Sequence, residues 1–334
     1  MKQRDSYFDN IKFVLISLVV FGHILQNNLL QDRVSMAMFD WIFCFAMPLF
    51  VFMSGLFCNP NSTSFHKSQL RLFETLVVFS LILKVPYLLG VIKNHIPIDP
   101  EEILKPGYTL WYLLALIWWR YLVFVVPVIR HQKHTVFVLL ASCVISLLSG
   151  FINSGNSIAL PRTLFFLPYF LCGYYLSNKK DIVKANVQKI NKYMAIIGLA
   201  IVFILFYYLN NNQLEVNTGN VPYSQWSMGL DKAILWRIVF SCISILASVF
   251  ICSIITQSTT KFSGFGTKCL IIYIYHPVFL ILLKTIQPIL NLPTDFVFSF
   301  IEWVVVLIIL MLITMSSLLV SISNPSTLII RTKK

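Results

Sequence analysis

Long apolar stretches, separated by short polar segments, recur along the whole sequence. A helix that crosses a hydrocarbon core about 30 Å thick needs about 20 residues, and these stretches approach or exceed that length. They predict ten membrane-spanning helices, at residues 8–29, 38–57, 70–92, 109–129, 134–152, 163–178, 193–210, 234–256, 267–287 and 296–322. We therefore expect an all-α fold, a polytopic transmembrane helical bundle made by one integral-membrane domain over residues 1–334, with no appended soluble domain.

The polar connections between these stretches are mostly short. The two longer ones, 94–108 and 211–233, contain Asn, Pro and Gly, and we expect them on the outer side at the rim of an entrance. The Lys-rich segment 179–192 is expected to be a solvated cytoplasmic linker. We expect the first apolar segment to be retained rather than cleaved as a signal peptide, because acidic Asp5 and Asp9 interrupt its flank.

Composition and charge agree with a membrane protein. Hydrophobic residues make up 57% of the 334 residues and charged residues 12%, about half the charged fraction of an ordinary soluble domain. The net charge of +13 does not indicate nucleic acid, because most Lys and Arg residues fall on one side of the predicted bundle. This asymmetry predicts cytoplasmic N- and C-termini and contact with the anionic lipids of the bilayer.

The cysteines and histidines do not form a recognisable metal-binding pattern. All seven cysteines lie in or beside apolar stretches, and no two form a Cys-x-x-Cys pair, so we interpret them as small buried hydrophobic residues. The histidines are scattered, with no carboxylate or cysteine at ligand spacing, and no metal site is predicted. The sequence also lacks a glycine-rich phosphate-binding loop.

Ionisable side chains interrupt the apolar stretches. Such residues usually face the bundle interior or a water-filled cavity, because exposure to lipid is costly. They are Asp9, Lys12, His23, Asp40, Glu74, Lys84, Arg120, Arg162, His276 and Glu302. Pairing or snorkelling is a sufficient explanation for Lys84 and Glu302, near predicted span ends. For His23 and Arg120, far from the ends, we favour a functional role.

The first apolar stretch carries the most informative pair of these residues. Lys12 and His23 are eleven positions apart, which at ~100° and ~1.5 Å per residue puts them on one helical face, roughly 16 Å apart. Asp9 lies three positions before Lys12, close enough on a helix to pair with it. The pattern predicts a polar path along one face, although Lys12 alone is also compatible with a positive-inside anchor.

Prolines interrupt three of the predicted spans. Pro48 lies in the second span, Pro168 in the sixth and Pro277 in the ninth. Proline removes a backbone hydrogen bond, and the freed carbonyl is tolerated where protein or a water-filled cavity meets it. These positions predict either ordinary helix kinks or the bent walls of an internal cavity.

Taken together, these residues resemble the acyltransferase family 3 membrane proteins, which modify cell-envelope sugars. The hallmark of that family is a basic residue, ten intervening positions and a histidine in the first span, which Lys12 and His23 match. Other matches follow in the family's order: Met47-Pro48-Leu49-Phe50 with Ser54-Gly55, Leu110-Trp111-Tyr112-Leu113 with Leu116, Phe165-Phe166-Leu167-Pro168-Tyr169-Phe170 with Gly173-Tyr174, and Tyr273-Ile274-Tyr275-His276-Pro277. The family often carries Arg-x-x-Arg at the start of the third span, but here Ser68 precedes Arg71, so only Arg71 is carried over.

The resemblance implies an enzyme, an acyltransferase that moves an acyl group from cytoplasmic acyl-coenzyme A to a hydroxyl of a cell-envelope or exopolysaccharide sugar. Acetyl-coenzyme A is the expected donor, as a substrate rather than a tightly bound cofactor. The resemblance also implies a multi-pass protein of a bacterial plasma membrane with a carbohydrate or glycolipid acceptor. Some family members carry an extracellular esterase-like domain, so a separate extracellular acyl-relay protein is an expected partner.

The same resemblance assigns roles to the candidate residues. His23 is expected to be the catalytic base or the carrier of the acyl group, and its neutral imidazole suits either role. Asp9 is expected to belong to the catalytic residues, because it pairs with Lys12 and holds it in place. Lys12 and Arg71 are expected to bind the phosphates of the donor. The expected acceptor-binding residues are Trp111, Tyr112, Arg120, Arg162 and His276. Trp111 and Tyr112 are equally compatible with an interfacial aromatic belt, and His276 with a structural hydrogen bond.

A different class of function also fits part of the pattern. A transporter or flippase that exports a polysaccharide or its precursor would have kinked helices and buried charges along its path. It has no evident need for Lys12 and His23 on one helical face. A sensor or scaffold would leave His23 and Arg120 unexplained, and the organisation of the membrane-bound O-acyltransferase superfamily is not seen.

Overall fold

A computed structural model describes residues 5–26, 32–94, 109–153, 159–209 and 218–322, with side chains of 90–94 excepted. Most of the first predicted outer connection and the start of the second lie outside these ranges. The described residues are almost entirely helical. The helices are α1 (Ser6–Leu25), α2 (Arg33–Leu56), α3 (Phe65–Asn94), α4 (Trp111–Val125), α5 (Pro127–Arg130), α6 (Thr135–Leu148), α7 (Leu160–Phe165), α8 (Leu167–Leu176), α9 (Lys180–Val187), α10 (Lys192–Leu209), α11 (Leu230–Ile254), α12 (Ser263–Gly266), α13 (Cys269–Ile289), α14 (Phe296–Ile313) and α15 (Ser317–Ile322).

Eight helices in the described part of the chain are long and apolar enough to cross a membrane. This confirms the all-α polytopic bundle, whereas the count of ten spans and the side of the termini stay predictions. The fourth predicted span contains the 15-residue helix α4. It ends there because Val126 precedes Pro127 and takes an extended conformation. The sixth predicted span is divided into α7 and α8 at Phe166, two residues before Pro168.

The other two prolines singled out in the sequence do not break their helices. Pro48 lies inside the continuous α2, and Pro277 lies inside the continuous α13. Each still removes one backbone hydrogen-bond donor from its helix. The chain is therefore interrupted near Pro168, whereas Pro48 and Pro277 lie within unbroken helices.

Helices α1 and α2 form the centre of the bundle. Within their spanning segments 72% and 78% of the residues are buried, against 22–33% in the other six long helices. Asp5 caps α1 by accepting a hydrogen bond from the Tyr7 amide, and Asp32 caps α2 in the same way. Helices α13 and α14 pack against α1, and α10 and α11 pack against α2. Polar residues of α1 are consequently held in the interior.

Helices α2 and α8 approach each other closely through two glycines. A Cβ atom on Gly55 would overlap the carbonyl oxygen of Phe170, and a Cβ atom on Gly173 would overlap the carbonyl oxygen of Phe52. The two glycines thus let the backbones of the helices touch, as small residues do at helix crossings in membranes. This contact fixes the position of α8 and of Phe166, which directly precedes it.

The Lys-rich segment 179–192 contains the short helix α9, none of whose residues is buried, and it contacts the bundle at two points. Lys184 on α9 forms an ion pair with Asp5 at 2.9 Å. Just after α9, the Gln188 side-chain amide donates to the carbonyl oxygens of Cys252 and Ile255, at 2.9 and 3.2 Å. These contacts dock α9 against the start of α1 and the end of α11.

Candidate active site

Two cavities lie along α1, one near Lys12 and one near His23. The larger has a volume of about 250 Å³ and the smaller about 70 Å³. Lys12, Phe57 and mainly apolar side chains from α1, α2, α3, α4 and α13 line the larger cavity. His23 and a more polar set of side chains line the smaller cavity. The sequence placed Lys12 and His23 on one face, and each borders its own cavity.

The Lys12 end of the larger cavity combines two cations with an aromatic ring. The Lys12 ammonium lies 3.2 Å from a carboxylate oxygen of Asp9, which confirms the predicted pairing. It also lies 4.9 Å from the centre of the Phe57 ring, and the ammonium of Lys180 lies 5.6 Å from that ring. Phe57 is 46% exposed and lines the cavity. A cation over an aromatic face is stabilised electrostatically, so the ring holds two ammonium groups at one opening.

The smaller cavity collects polar groups around His23. Its lining includes Gln26 from the end of α1, Thr109, Arg162 and Thr218. The guanidinium of Arg162 lies 5.1 Å from the centre of the Trp111 ring. Trp111 itself lines this cavity. The cavity therefore offers hydrogen-bonding groups and an aromatic face, which is a combination that suits a hydroxylated ligand.

Hydrogen bonds fix the protonation pattern of two neighbouring histidines. His23 Nδ1 lies 3.3 Å from Gln26 Oε1, and His276 Nδ1 lies 2.6 Å from the Tyr273 carbonyl oxygen. Both oxygens only accept, so each Nδ1 carries the proton and each Nε2 carries the lone pair. The two rings stack with their centres 5.5 Å apart. His23 is half-buried and borders the cavity, whereas His276 is fully buried.

Three residues line both cavities and separate one from the other: Val19, Met47 and Tyr273. The Tyr273 hydroxyl donates to the Thr109 carbonyl oxygen, and the Tyr273 carbonyl accepts from His276. Tyr273 is consequently held at both its side chain and its backbone. We refer to Val19, Met47 and Tyr273 as the partition.

The structure distributes the predicted acceptor residues over different places. Trp111 and Arg162 line the smaller cavity, while the adjacent Tyr112 lines the larger one. The Tyr112 hydroxyl lies 2.5 Å from Ser54 Oγ, on the wall of the larger cavity. His276 contacts the His23 ring and lines neither cavity.

The remaining predicted residues lie away from His23. Arg120 donates to Ser68 Oγ at 3.1 Å and lies over the Phe65 ring, at the start of α3, rather than beside Arg162. Arg71 is half-buried and lines neither cavity, although the next residue, Leu72, lines the larger one. Asp9 is fourteen positions from His23 on α1, roughly 21 Å along the axis, so it contacts Lys12 and not the histidine.

Sequence reasoning missed Lys180, Phe57 and Gln26. Lys180 belongs to a run of charged and polar residues that resembles a solvated segment. Its position beside Phe57 depends on the ion pair between Lys184 and Asp5, which are 179 positions apart in sequence. The contact between Gln26 and His23 could have been predicted, because Gln26 follows His23 by three residues and such residues are neighbours on a helix.

A family model described as an acyltransferase domain matches residues 5–320, nearly the whole chain. No curated protein and no solved structure matches the chain.

Proposed function

The chain belongs to this acyltransferase family, and from that membership we propose that it transfers an acyl group from cytosolic acyl-coenzyme A to a hydroxyl of a cell-envelope carbohydrate. Acetyl is the proposed acyl group. The acceptor is proposed to be a polysaccharide or glycolipid of a bacterial envelope, and the membrane the plasma membrane. An extracellular relay protein remains a proposed partner. The observation that carries the proposal is the placement of Lys12 and His23 at two adjoining cavities with a common wall.

The larger cavity is the proposed site of the donor. A thioester donor has an anionic phosphate end and a long, thin arm, and this cavity pairs cations at one end with an apolar interior. Lys12 and Lys180 would hold the phosphates as charge partners, with Phe57 between them. We place Arg71 and Arg120 in the same half of the protein, as outer cations that attract the donor without lining the cavity.

The smaller cavity is the proposed site of the acceptor hydroxyl. A space of about 70 Å³ cannot enclose a sugar ring, so only the reacting hydroxyl would enter it, beside Thr109, Arg162 and Thr218. Trp111 would offer its aromatic face to the part of the sugar that stays outside. His23 stands in the wall of this cavity with its Nε2 lone pair available, since Nδ1 is engaged by Gln26. His276 supports the His23 ring by stacking against it.

These positions support the following reaction. The Nε2 lone pair of His23 removes the proton of the acceptor hydroxyl, because a neutral hydroxyl is a poor nucleophile. The hydroxyl oxygen attacks the thioester carbonyl, an oxygen–carbon bond forms, and the carbon–sulfur bond breaks. The leaving thiolate then takes the proton from the His23 imidazolium and departs as the free thiol. The alternative mechanism has two steps. His23 itself attacks the thioester carbonyl and releases the thiol, and this step forms an acyl-imidazole. The acceptor hydroxyl then attacks the acyl-imidazole, takes the acyl group and frees His23.

The transporter alternative receives less support from the geometry. Export of a polymer requires a path wide enough for a sugar chain. The cavity beside His23 has a volume of only about 70 Å³, and the partition separates it from the larger cavity. We therefore favour transfer of a small group over passage of a large one.

The proposal is tested with purified protein in liposomes, acetyl-coenzyme A labelled in its acetyl group, and a carbohydrate fraction of bacterial envelopes. Wild-type protein is expected to move label to the carbohydrate. His23→Ala should lower the rate about 100-fold or more, the range for loss of a general base. His131→Ala is the matched control, because His131 is exposed and outside the cavities.

Equal transfer by wild type and His23→Ala would refute the catalytic role of His23. Absence of transfer by the wild type, with label released neither to carbohydrate nor to water, would refute the acyltransfer proposal. Omitting the acceptor and searching the denatured protein for bound label distinguishes the two mechanisms. Label on His23 supports the acyl-imidazole, and its absence supports direct attack.

A further inference from the structure

The partition between the two cavities separates spaces of very different size. The space on the Lys12 side is about 250 Å³ and the space on the His23 side about 70 Å³. If the donor lies in the first and reacts at His23 in the second, its acyl group has to enter the smaller space. The dimensions of that space then restrict which acyl groups can react.

A simple volume comparison indicates how large an acyl group can enter. A cavity of about 150 Å³ holds benzene, which corresponds to about 25 Å³ for each heavy atom. On that scale the space beside His23 holds about three heavy atoms, which is the size of an acetyl group. A butyryl group has two further carbons and exceeds the space.

The members of the partition differ in how freely they can move. Tyr273 is held through its hydroxyl by Thr109 and through its carbonyl by His276. Val19 is β-branched and has one strongly preferred rotamer in a helix. Met47 is unbranched, with three rotatable bonds and a side chain that adapts to irregular spaces. Met47 is therefore the side chain that can yield to an acyl group.

We infer that Met47 determines the length of the acyl group, by closing the His23 cavity towards the donor so that an acetyl group reaches His23 and longer chains do not. The inference rests on the proposed function. It deepens that function by naming the short-chain acyl-coenzyme A class as donor and the partition as the specificity element. The wild-type protein should therefore use acetyl-coenzyme A better than propionyl-, butyryl- or hexanoyl-coenzyme A, in falling order.

The test measures kcat/KM for this donor series with purified protein in liposomes. Met47→Ala removes the adaptable member of the partition and widens the connection between the cavities. The ratio of butyryl to acetyl transfer should rise about tenfold or more, because pockets discriminate about tenfold or more against an extra methylene. Met36→Ala is the matched control, since Met36 is also a buried methionine on α2 but lines neither cavity. Its donor profile should equal that of the wild type.

A second variant protects the test against misfolding of the first. Val19→Ala opens the same partition from α1 and should shift the ratio in the same direction. Transfer by both variants with an unchanged donor profile would overturn the role of the partition while leaving the acyltransfer itself intact. A wild type that uses hexanoyl- as well as acetyl-coenzyme A would do the same. No transfer from any donor would overturn the proposed function together with this inference.

Discussion

Replacing Gly173 with alanine should separate α8 from α2. The added methyl would overlap the carbonyl oxygen of Phe52 and come within 2.9 Å of the Leu56 amide nitrogen. Both are backbone atoms of a central helix, so neither can rotate away. Ordinary contact is restored only if α8 moves about 1.5 Å from α2.

The cost of that movement follows from the contacts it breaks. Insertion of an extra methyl group into a packed interior costs about 1–3 kcal/mol. A gap of 0.5–1 Å already forfeits about a quarter to a half of a dispersion contact. We therefore expect a loss near 3 kcal/mol. Gly55→Ala meets the Phe170 carbonyl in the same way. One separation relieves both clashes, so the double variant should cost little more than either single variant.

Thermal unfolding in mild detergent, followed as the loss of monodisperse protein, measures the effect. A loss near 3 kcal/mol should lower Tm by about 4–8 °C. Gly264→Ala is the control, because a Cβ atom there would meet nothing within 4 Å, and its Tm should be unchanged or slightly raised. The close-packing argument is refuted if Gly173→Ala retains the wild-type Tm, or if the two single effects simply add in the double variant.

Three further predictions concern the residues around the cavities. Lys180→Gln should raise the KM for the donor about threefold to tenfold with kcat unchanged, and the difference should shrink at high salt because exposed charges are screened. Lys189→Gln, an exposed lysine that does not border the larger cavity, serves as its control. A double-mutant cycle on Asp5 and Lys184 should give a coupling free energy of at most about 1 kcal/mol. Disrupting the pair should nevertheless speed proteolysis within α9. If the wild type and the variants were cleaved at the same rate, the docking of α9 would be contradicted. His276→Asn should lower kcat about tenfold to hundredfold through misplacement of the His23 ring, with donor KM constant; an unchanged kcat would exclude this supporting role.

Much of the fold was accessible from the sequence because lipid imposes simple rules. Apolar length predicted the helices, and the pairing of Asp9 with Lys12 followed from helical spacing. The pattern singled out Pro168, near which α7 and α8 are divided, but it did not predict the shortening of α4 at Pro127. Proline predicts a weakened helix, but whether the helix ends there depends on neighbouring elements.

Part of the site could likewise be predicted from the sequence, where the residues concerned share one helix. Positions on α1 share one rigid helix, so the relation of Lys12 to His23 could be calculated. The side chains of Trp111 and Tyr112 enter different cavities. Consecutive helical residues point about 100° apart, so Trp111 and Tyr112 could not both face one ligand as an aromatic pair. Arg120 meets Ser68 only through the packing of α4 on α3, a contact between distant parts of the chain that spacing alone cannot give.

The partition has a consequence for the membrane itself. Under the proposed function, the donor and the acceptor enter from opposite faces of the membrane, and a continuous channel between their cavities would let ions leak across. Val19, Met47 and Tyr273 are each less than a tenth exposed, so under that function they would close such a channel with buried side chains. A small uncharged acyl group can slip past such a seal, whereas a hydrated ion would have to shed its water to follow.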